Sequence, residues 1–333
     1  MNIIEFEKTL YEMRNELYRH PPRDIIKEGF RPVSGSCADF CVAELKGEYH
    51  FFYIERRLTE GTPFYPGNEI YFGHASTANF LNWTVHDPVM LIRPGTWECA
   101  HVWAPFILKH GGRYVMAYTG LNDFISQDIG LAFSNDLFNW TRWEGNPISP
   151  CKGKDWSHWR EDRISSCRDP HLLEHDGRIW MTYTANTAKG EACVAMASTE
   201  DLARWEDHGP ILIGPADGYE PVLSGGHLQA SLESTNLIPK NGKWYLLVNG
   251  KLRDRDIRHW ILESDRMDRF DLAEGREFWR EGGCIEVVKD LGSRSLLASV
   301  IGGCIKFGEV DWSEPQPVAH SIQTAEALAA WQD

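Results

Sequence analysis

One unit recurs four times in this chain at a period of about 65 residues, and a period of that length constrains the fold more than any other feature. The copies are DFCVAELKGEYHFFY from Asp39, APFILKHGGRYVMAY from Ala104, DPHLLEHDGRIWMTY from Asp169 and ESTNLIPKNGKWYLL from Glu233. Each reads as a strand, a glycine turn and a second strand rich in aromatics. The turn glycines Gly47, Gly112, Gly177 and Gly242 follow their anchors by 8, 8, 8 and 9 residues, and successive anchors stand 65, 65 and 64 apart. A second signal keeps step with the first. STANFLNW, SNDLFNW, STEDLARW and SDRMDRF end at Trp83, Trp140, Trp205 and Phe270, and each reads as a turn leading into the outermost strand of its unit.

A repeat of this length built from short antiparallel strands suits one four-stranded blade of a propeller. A fifth, degraded copy is SVIGGCIKFGEVDW, whose Gly308 sets the anchor at Ser299 or Val300. The chain is therefore expected to be all-β: a five-bladed β-propeller over 33–315, with an N-terminal helix and lead-in over 1–32 and a C-terminal extension over 316–333. Ile3, Phe6, Leu10, Met13 and Leu17 form one helical stripe, which Pro21-Pro22 stops. A short helix is expected near Thr324–Trp331. Both helices should close the propeller by packing on it; a homo-oligomeric contact through the N-terminal helix is the alternative.

Composition narrows the function classes. The 333 residues carry 34 Lys and Arg against 48 Asp and Glu, a net charge of −14, which disfavours nucleic acid and anionic lipid as partners. No apolar run reaches membrane-spanning length, and the start does not read as a secretory signal. Eight cysteines without CxxC pairs or zinc-like Cys/His spacing suggest reduced thiols in a cytoplasmic protein. No cofactor and no metal ligand set is read from the sequence.

The innermost strand of a propeller blade lines the central axis, so the repeat anchors should converge. Three of them, Asp39, Asp169 and Glu233, are carboxylates. Like charges held together raise at least one pKa, an expense that a structural core would avoid. Glycoside hydrolysis uses such crowding, with one carboxylic acid protonating the leaving oxygen and one carboxylate attacking or activating water. The bland alternative is three unrelated acids at strand starts, satisfied by backbone N–H groups.

These residues also carry a family resemblance. The blade pattern and the Asp/Asp/Glu order resemble the five-bladed propeller glycosidases of families 32, 43 and 68. Arg168-Asp169-Pro170 matches the RDP motif of families 32 and 68, and RDPHLLEHDGRIWMTYTANT resembles the family 68 segment around its transition-state-stabilising aspartate. Trp103-Ala104-Pro105 matches the WAP of family 43, and Glu233-Ser234 with NLIPKNGKWYLL resembles that family's acid-bearing strand. The resemblance implies Asp39 as nucleophile in a retaining enzyme or general base in an inverting one, Asp169 as stabiliser of the transition state, Glu233 as general acid, and Arg168 as a ligand of the sugar that holds Asp169 ionised. A further C-terminal β-sandwich of the family 32 kind is not expected. Trp97-Glu98-Cys99 mimics the family 32 acid motif but lies outside the anchor register, which makes Glu98 a decoy or a rim contact.

Trp103 is the candidate to stack on a sugar face, with a core role as its alternative. His101 and His227, just before anchors, are candidates to bind hydroxyls or to help hold a central cation or water cluster; a satisfied polar histidine is the alternative for both. His171 should point off the axis by strand alternation. The expected activity is hydrolysis of a furanosyl-containing oligosaccharide or glycoside, β-fructofuranosidase-like. Arabinofuranosidase or β-xylosidase action, phosphorolysis at a phosphate pocket built from Arg56-Arg57 or Arg253/Arg255/Arg258, and a non-catalytic carbohydrate-binding propeller remain as alternatives.

Overall fold

A computed structural model describes residues 25–32, 35–57, 68–214, 219–223, 227–230, 232–250, 258–281 and 283–332. The expected N-terminal helix lies outside these residues. Blade one comprises β1 (Gly35–Leu45), β2 (Glu48–Arg57), β3 (Phe72–Thr77) and β4 (Thr84–Val89). Blade two comprises β5 (His101–His110), β6 (Arg113–Leu121), β7 (Gln127–Ser134) and β8 (Thr141–Arg142). Blade three comprises β9 (Cys167–His175), β10 (Arg178–Asn186), β11 (Ala192–Thr199) and β12 (Glu206–Ile213). A hairpin of β13 (Tyr219–Leu223) and β14 (His227–Ala230) precedes blade four, which comprises β15 (Leu232–Lys240), β16 (Lys243–Gly250), β17 (Arg258–Ser264) and β18 (Arg276–Trp279). Blade five comprises β19 (Ile285–Asp290), β20 (Arg294–Ile301), β21 (Cys304–Asp311) and β22 (Ala319–Ser321). Each blade is a four-stranded meander in chain order, and the five innermost strands contact one another in a closed ring.

Two expectations change here. The fifth anchor is not Ser299 or Val300. Both lie on β20, the second strand of blade five, and SVIGGCIKF is the hairpin between β20 and β21. That hairpin is itself strand, glycine turn and strand, so it imitates the repeat. The inner strand is β19 and its turn glycine is Gly292, which places the anchor eight residues earlier, at Cys284. The blade also runs past 315, because β22 is its outermost strand.

Both faces of each sheet are buried, because each blade is packed between two others. Neighbouring residues on one strand therefore feed different cores. Phe51 packs between blades one and five, while Phe52 packs between blades one and two. The other three interfaces hold the remaining cores. A fully buried phenylalanine of this kind is worth ~1.5–3 kcal/mol relative to exposure, and the closed ring gives every blade two such interfaces.

The four turns singled out in the sequence join third to fourth strands. Asn79, Asp136 and Asp201 each accept two backbone N–H bonds from the residues that follow. The Trp83, Trp140 and Trp205 indoles each donate to the carbonyl three residues back. The ring is tied shut where Phe30 exchanges backbone hydrogen bonds of 2.9 and 2.7 Å with Ile305 of β21. A helix at Ala325–Ala329, capped by Thr324, adds Leu328 to the same core, as the amphipathic pattern led one to expect. All eight cysteines are free thiols. Among the described residues no helix is long and apolar enough to cross a membrane.

Candidate active site

Four inner strands carry a β-bulge close to their axial ends, three at equivalent positions and that of β1 one residue earlier. The register breaks after Cys37 in β1, after Trp103 in β5, after Arg168 in β9 and after Glu233 in β15. Ala104, Asp169 and Ser234 there adopt φ of 43°, 56° and 51°, a left-handed conformation that costs a non-glycine residue roughly 1–2 kcal/mol. Bulges of this type re-aim side chains, and here they turn consecutive residues toward the axis.

The bulges also correct the register. Ser234, not Glu233, is the counterpart of Asp169, since 242 − 234 and 177 − 169 are both 8. Glu233 is the counterpart of Arg168 and Trp103; all three pair with the residue seven past their turn glycine, namely Asn249, Thr184 and Thr119. The axis thus presents two rings. One holds Ala38, Trp103, Arg168, Glu233 and Gly283. The other holds Asp39, Ala104, Asp169, Ser234 and Cys284. All but Ala104 and Ser234 line a single cavity of about 530 Å³, with Arg56, Glu69 and Asn249 among its other walls.

Contacts inside the cavity knit the acids together. Arg168 places Nη2 3.2 Å from Glu233 Oε1 and Nε 3.5 Å from Asp169 Oδ2. Its Nη1 donates to Ser166 Oγ at 3.0 Å and Gln127 Oε1 at 3.3 Å, and Nη2 donates to the Leu232 carbonyl at 3.3 Å. Ser234 joins the other pair: its N–H donates to Asp169 Oδ2 at 2.9 Å, and its hydroxyl lies 3.4 Å from Asp39 Oδ1. The Asp169 N–H donates to Thr119 Oγ1 at 3.0 Å. Arg168 is buried, while the Glu233 side chain remains 40% exposed at the mouth.

Burial drives Asp39 up to about 8, with repulsion from Asp169 and Glu233 adding to it and Arg56 and Arg168 opposing it. Burial likewise carries Asp169 to about 6, against the pull of the Arg168 guanidinium and the Ser234 N–H. Arg168 therefore favours the ionised form of Asp169, as expected, but desolvation outweighs it.

Trp103 lines the cavity. His101 does not; its ring sits 5.7 Å from the Trp103 indole, with Nδ1 3.1 Å from the Asn68 carbonyl, so it props the indole from behind. The His227 side chain lies outside the described residues, as do those of Arg57 and Arg258, and residues 253 and 255. His171 is buried off the axis against Phe106, as strand alternation required. Glu98 is not a rim residue: it is fully buried in blade two, 2.9 Å from Arg93 Nε and 2.7 Å from Arg142 Nε, and accepts from Tyr118. Arg56, read as one part of a phosphate pocket, is engaged by Glu69 at 2.6 Å. Sequence reasoning missed Glu69 and Asn249 as cavity walls, because neither stands at a repeat anchor.

Comparison with known proteins agrees with this architecture. Residues 40–220 match the model of the Glycosyl hydrolases family 32 N-terminal domain. A fructan 6-exohydrolase of Beta vulgaris is 25% identical over 263 residues, covering 75% of this chain and 40% of that protein. A sucrose-6-phosphate hydrolase of Klebsiella pneumoniae is 23% identical over 194 residues, covering 57% and 37%. The chain thus spans about two fifths of the length of the curated relatives it matches. Among solved structures, a Bombyx mori GH32 beta-fructofuranosidase superposes with a TM-score of 0.68 at 17% identity, covering 96% of this chain and 69% of that one. An exo-1,5-alpha-L-arabinanase from a bovine ruminal metagenomic library superposes with a TM-score of 0.58 at 16% identity, covering 87% and 99%.

Proposed function

We propose, from the premise that this chain belongs to glycosyl hydrolase family 32, that it hydrolyses the O-glycosyl bond of a β-fructofuranosyl sugar. The observation that carries the reading is the meeting of Asp39, Asp169 and Glu233 in one cavity, two of them on a single buried guanidinium. Three crowded carboxyls are costly to a fold and serve a reaction that needs one acid and one base at a single bond.

In this mechanism Asp39, in the wall of the cavity, is the group that attacks the anomeric carbon or deprotonates water. Glu233, on the solvent side, protonates the leaving oxygen as the bond breaks, and its exposure lets it exchange protons with water between turnovers. Asp169 accepts hydrogen bonds from sugar hydroxyls and faces the positive charge that develops on the ring. Arg168 holds Asp169 and Glu233 at a set separation through a planar fork that lysine lacks. Trp103 offers an indole face for the apolar side of the sugar, and His101 fixes that indole. Asp39 must be ionised to act, so its raised pKa places the acidic limb of kcat/KM above the ordinary carboxylate range.

The test is a screen of sucrose, inulin, levan and aryl arabinofuranosides, with NMR of the first product anomer. Fructose release from at least one of the first three supports the reading. Turnover confined to the arabinofuranosides would move the substrate class to the arabinose-acting propellers.

A further inference from the structure

A second chemical cluster stands on blade one, away from the axis. His50 on β2, His74 on β3 and His86 on β4 lie on adjacent strands. The register pairs His74 with His86 across β3 and β4, and pairs His50 with Ser76 and Phe52 with His74 across β2 and β3. All three histidines therefore project from one face of the sheet, toward blade two. There the Phe138 ring covers them, at 5.4, 5.1 and 5.1 Å from the His50, His74 and His86 rings. Phe52 stacks on His74 from below, at 4.3 Å and 17°. None of the three lines the axial cavity.

One nitrogen from each ring lies within 4.8 Å of the other two. His50 Nδ1 and His74 Nε2 are 2.9 Å apart, and His86 Nε2 is 2.8 Å from Ser76 Oγ. The nearest carboxylate, Glu48, is half-exposed and sits 3.9 Å from His50 Nε2. Nitrogens bound at ~2.0–2.1 Å to one tetrahedral ion stand ~3.4 Å from each other, so to close on an ion this trio must open the 2.9 Å contact and draw its wider separations in. The bland arrangement, three histidines satisfied by hydrogen bonds, needs one shared proton between two imidazoles and a serine for the third. It gives no reason for three imidazoles to converge under a phenylalanine lid.

We propose that His50, His74 and His86 bind one divalent transition-metal ion of the zinc class, with Glu48 or water as fourth ligand, and so clamp the three outer strands of blade one. Three neutral imidazoles favour zinc, cobalt, nickel or copper over calcium or magnesium, which take oxygen ligands. Sequence reasoning read no metal set because the ligands are 24 and 12 residues apart and meet only through strand register.

Cobalt reports on the site directly. Full-length protein is stripped with chelator, dialysed and titrated with Co²⁺, followed by Zn²⁺. Visible ligand-field absorption should saturate at one equivalent, vanish as Zn²⁺ displaces the cobalt, and come with a rise in Tm of several degrees. His86→Gln, at the least buried of the three positions, should weaken Co²⁺ binding at least 100-fold with an unchanged circular dichroism spectrum. Asp169→Asn should bind as the parent does, which locates the ion away from the axis. Absence of cobalt absorption in the parent, or parental affinity in both His86→Gln and His74→Gln, overturns the proposal.

Discussion

Blades two and three share one backbone and do opposite things with charge. Their inner strands carry the same bulge, the same left-handed residue and the same spacing to the turn glycine. Blade three fills the axial positions with Arg168 and Asp169. Blade two fills them with Trp103 and Ala104 and places its acid, Glu98, away from the axis, where two arginines and a tyrosine hydroxyl surround it. Cations outnumber the acid in that core. On the axis a single guanidinium touches two of three carboxyls, and Asp39 and Asp169 are pushed upward as a result of burial and crowding. A fold that can match a buried acid fully in one blade leaves the axial acids under-compensated, and that contrast separates structural charge from working charge.

The sharpest way to break the contrast is to neutralise the axial acids one at a time. Asp39→Asn should lower turnover at least ~10⁴-fold on every substrate. Glu233→Gln should cost ~10²–10⁴-fold on a natural sugar but far less on an activated aryl fructofuranoside, whose leaving group needs little protonation. Equal proportional losses on both substrates would remove Glu233 from the role of acid.

Arg168→Lys comes next. It keeps the charge and loses the fork, so kcat should fall ~10–100-fold while the melting curve stays near the parent's. Near-parental turnover would mean that the fork does not set the positions of Asp169 and Glu233.

Glu98→Gln probes the other side of the comparison. It leaves the largely buried Arg142 and the half-exposed Arg93 without their counter-charge, so stability should drop by ~1–3 kcal/mol, read by urea titration, with kcat per folded molecule unchanged. A selective loss of kcat would make Glu98 part of the chemistry after all.

The smallest effect concerns stability and pH. A carboxyl whose folded-state pKa exceeds its unfolded value weakens the fold as pH rises between the two. For Asp39 that window runs from about 4 to about 8. Asp39→Asn should therefore raise Tm at pH 9 and leave it nearly unchanged at pH 4. A destabilising effect at pH 9 would show that the ionised Asp39 carboxylate is better compensated than its burial and neighbours imply.

Much of this was legible before any coordinates. Strand alternation and glycine turns are local, so the 65-residue unit, the turn before each outermost strand and the convergence of Asp39, Asp169 and Glu233 could be read from spacing. The one-residue offset at Glu233 was visible as a 9 among 8s, but its meaning was not. Only the bulge shows that Ser234 takes the anchor position and Glu233 that of Arg168. The fifth anchor was misplaced because any hairpin with a central glycine resembles the repeat, and only strand order distinguishes β19 from β20.

The sequence by itself determined the period, the blade count and the residue types that meet on the axis, because each depends on patterns within a few residues and on their recurrence. Tertiary structure alone decided which charges are compensated. Glu98 finds Arg142 44 residues away, Ser234 reaches Asp39 across 195, and three histidines meet across three strands. Such pairings depend on strand register within a blade and on how one blade is rotated against the next, and both are set by side chains packing between sheets, which no local pattern encodes.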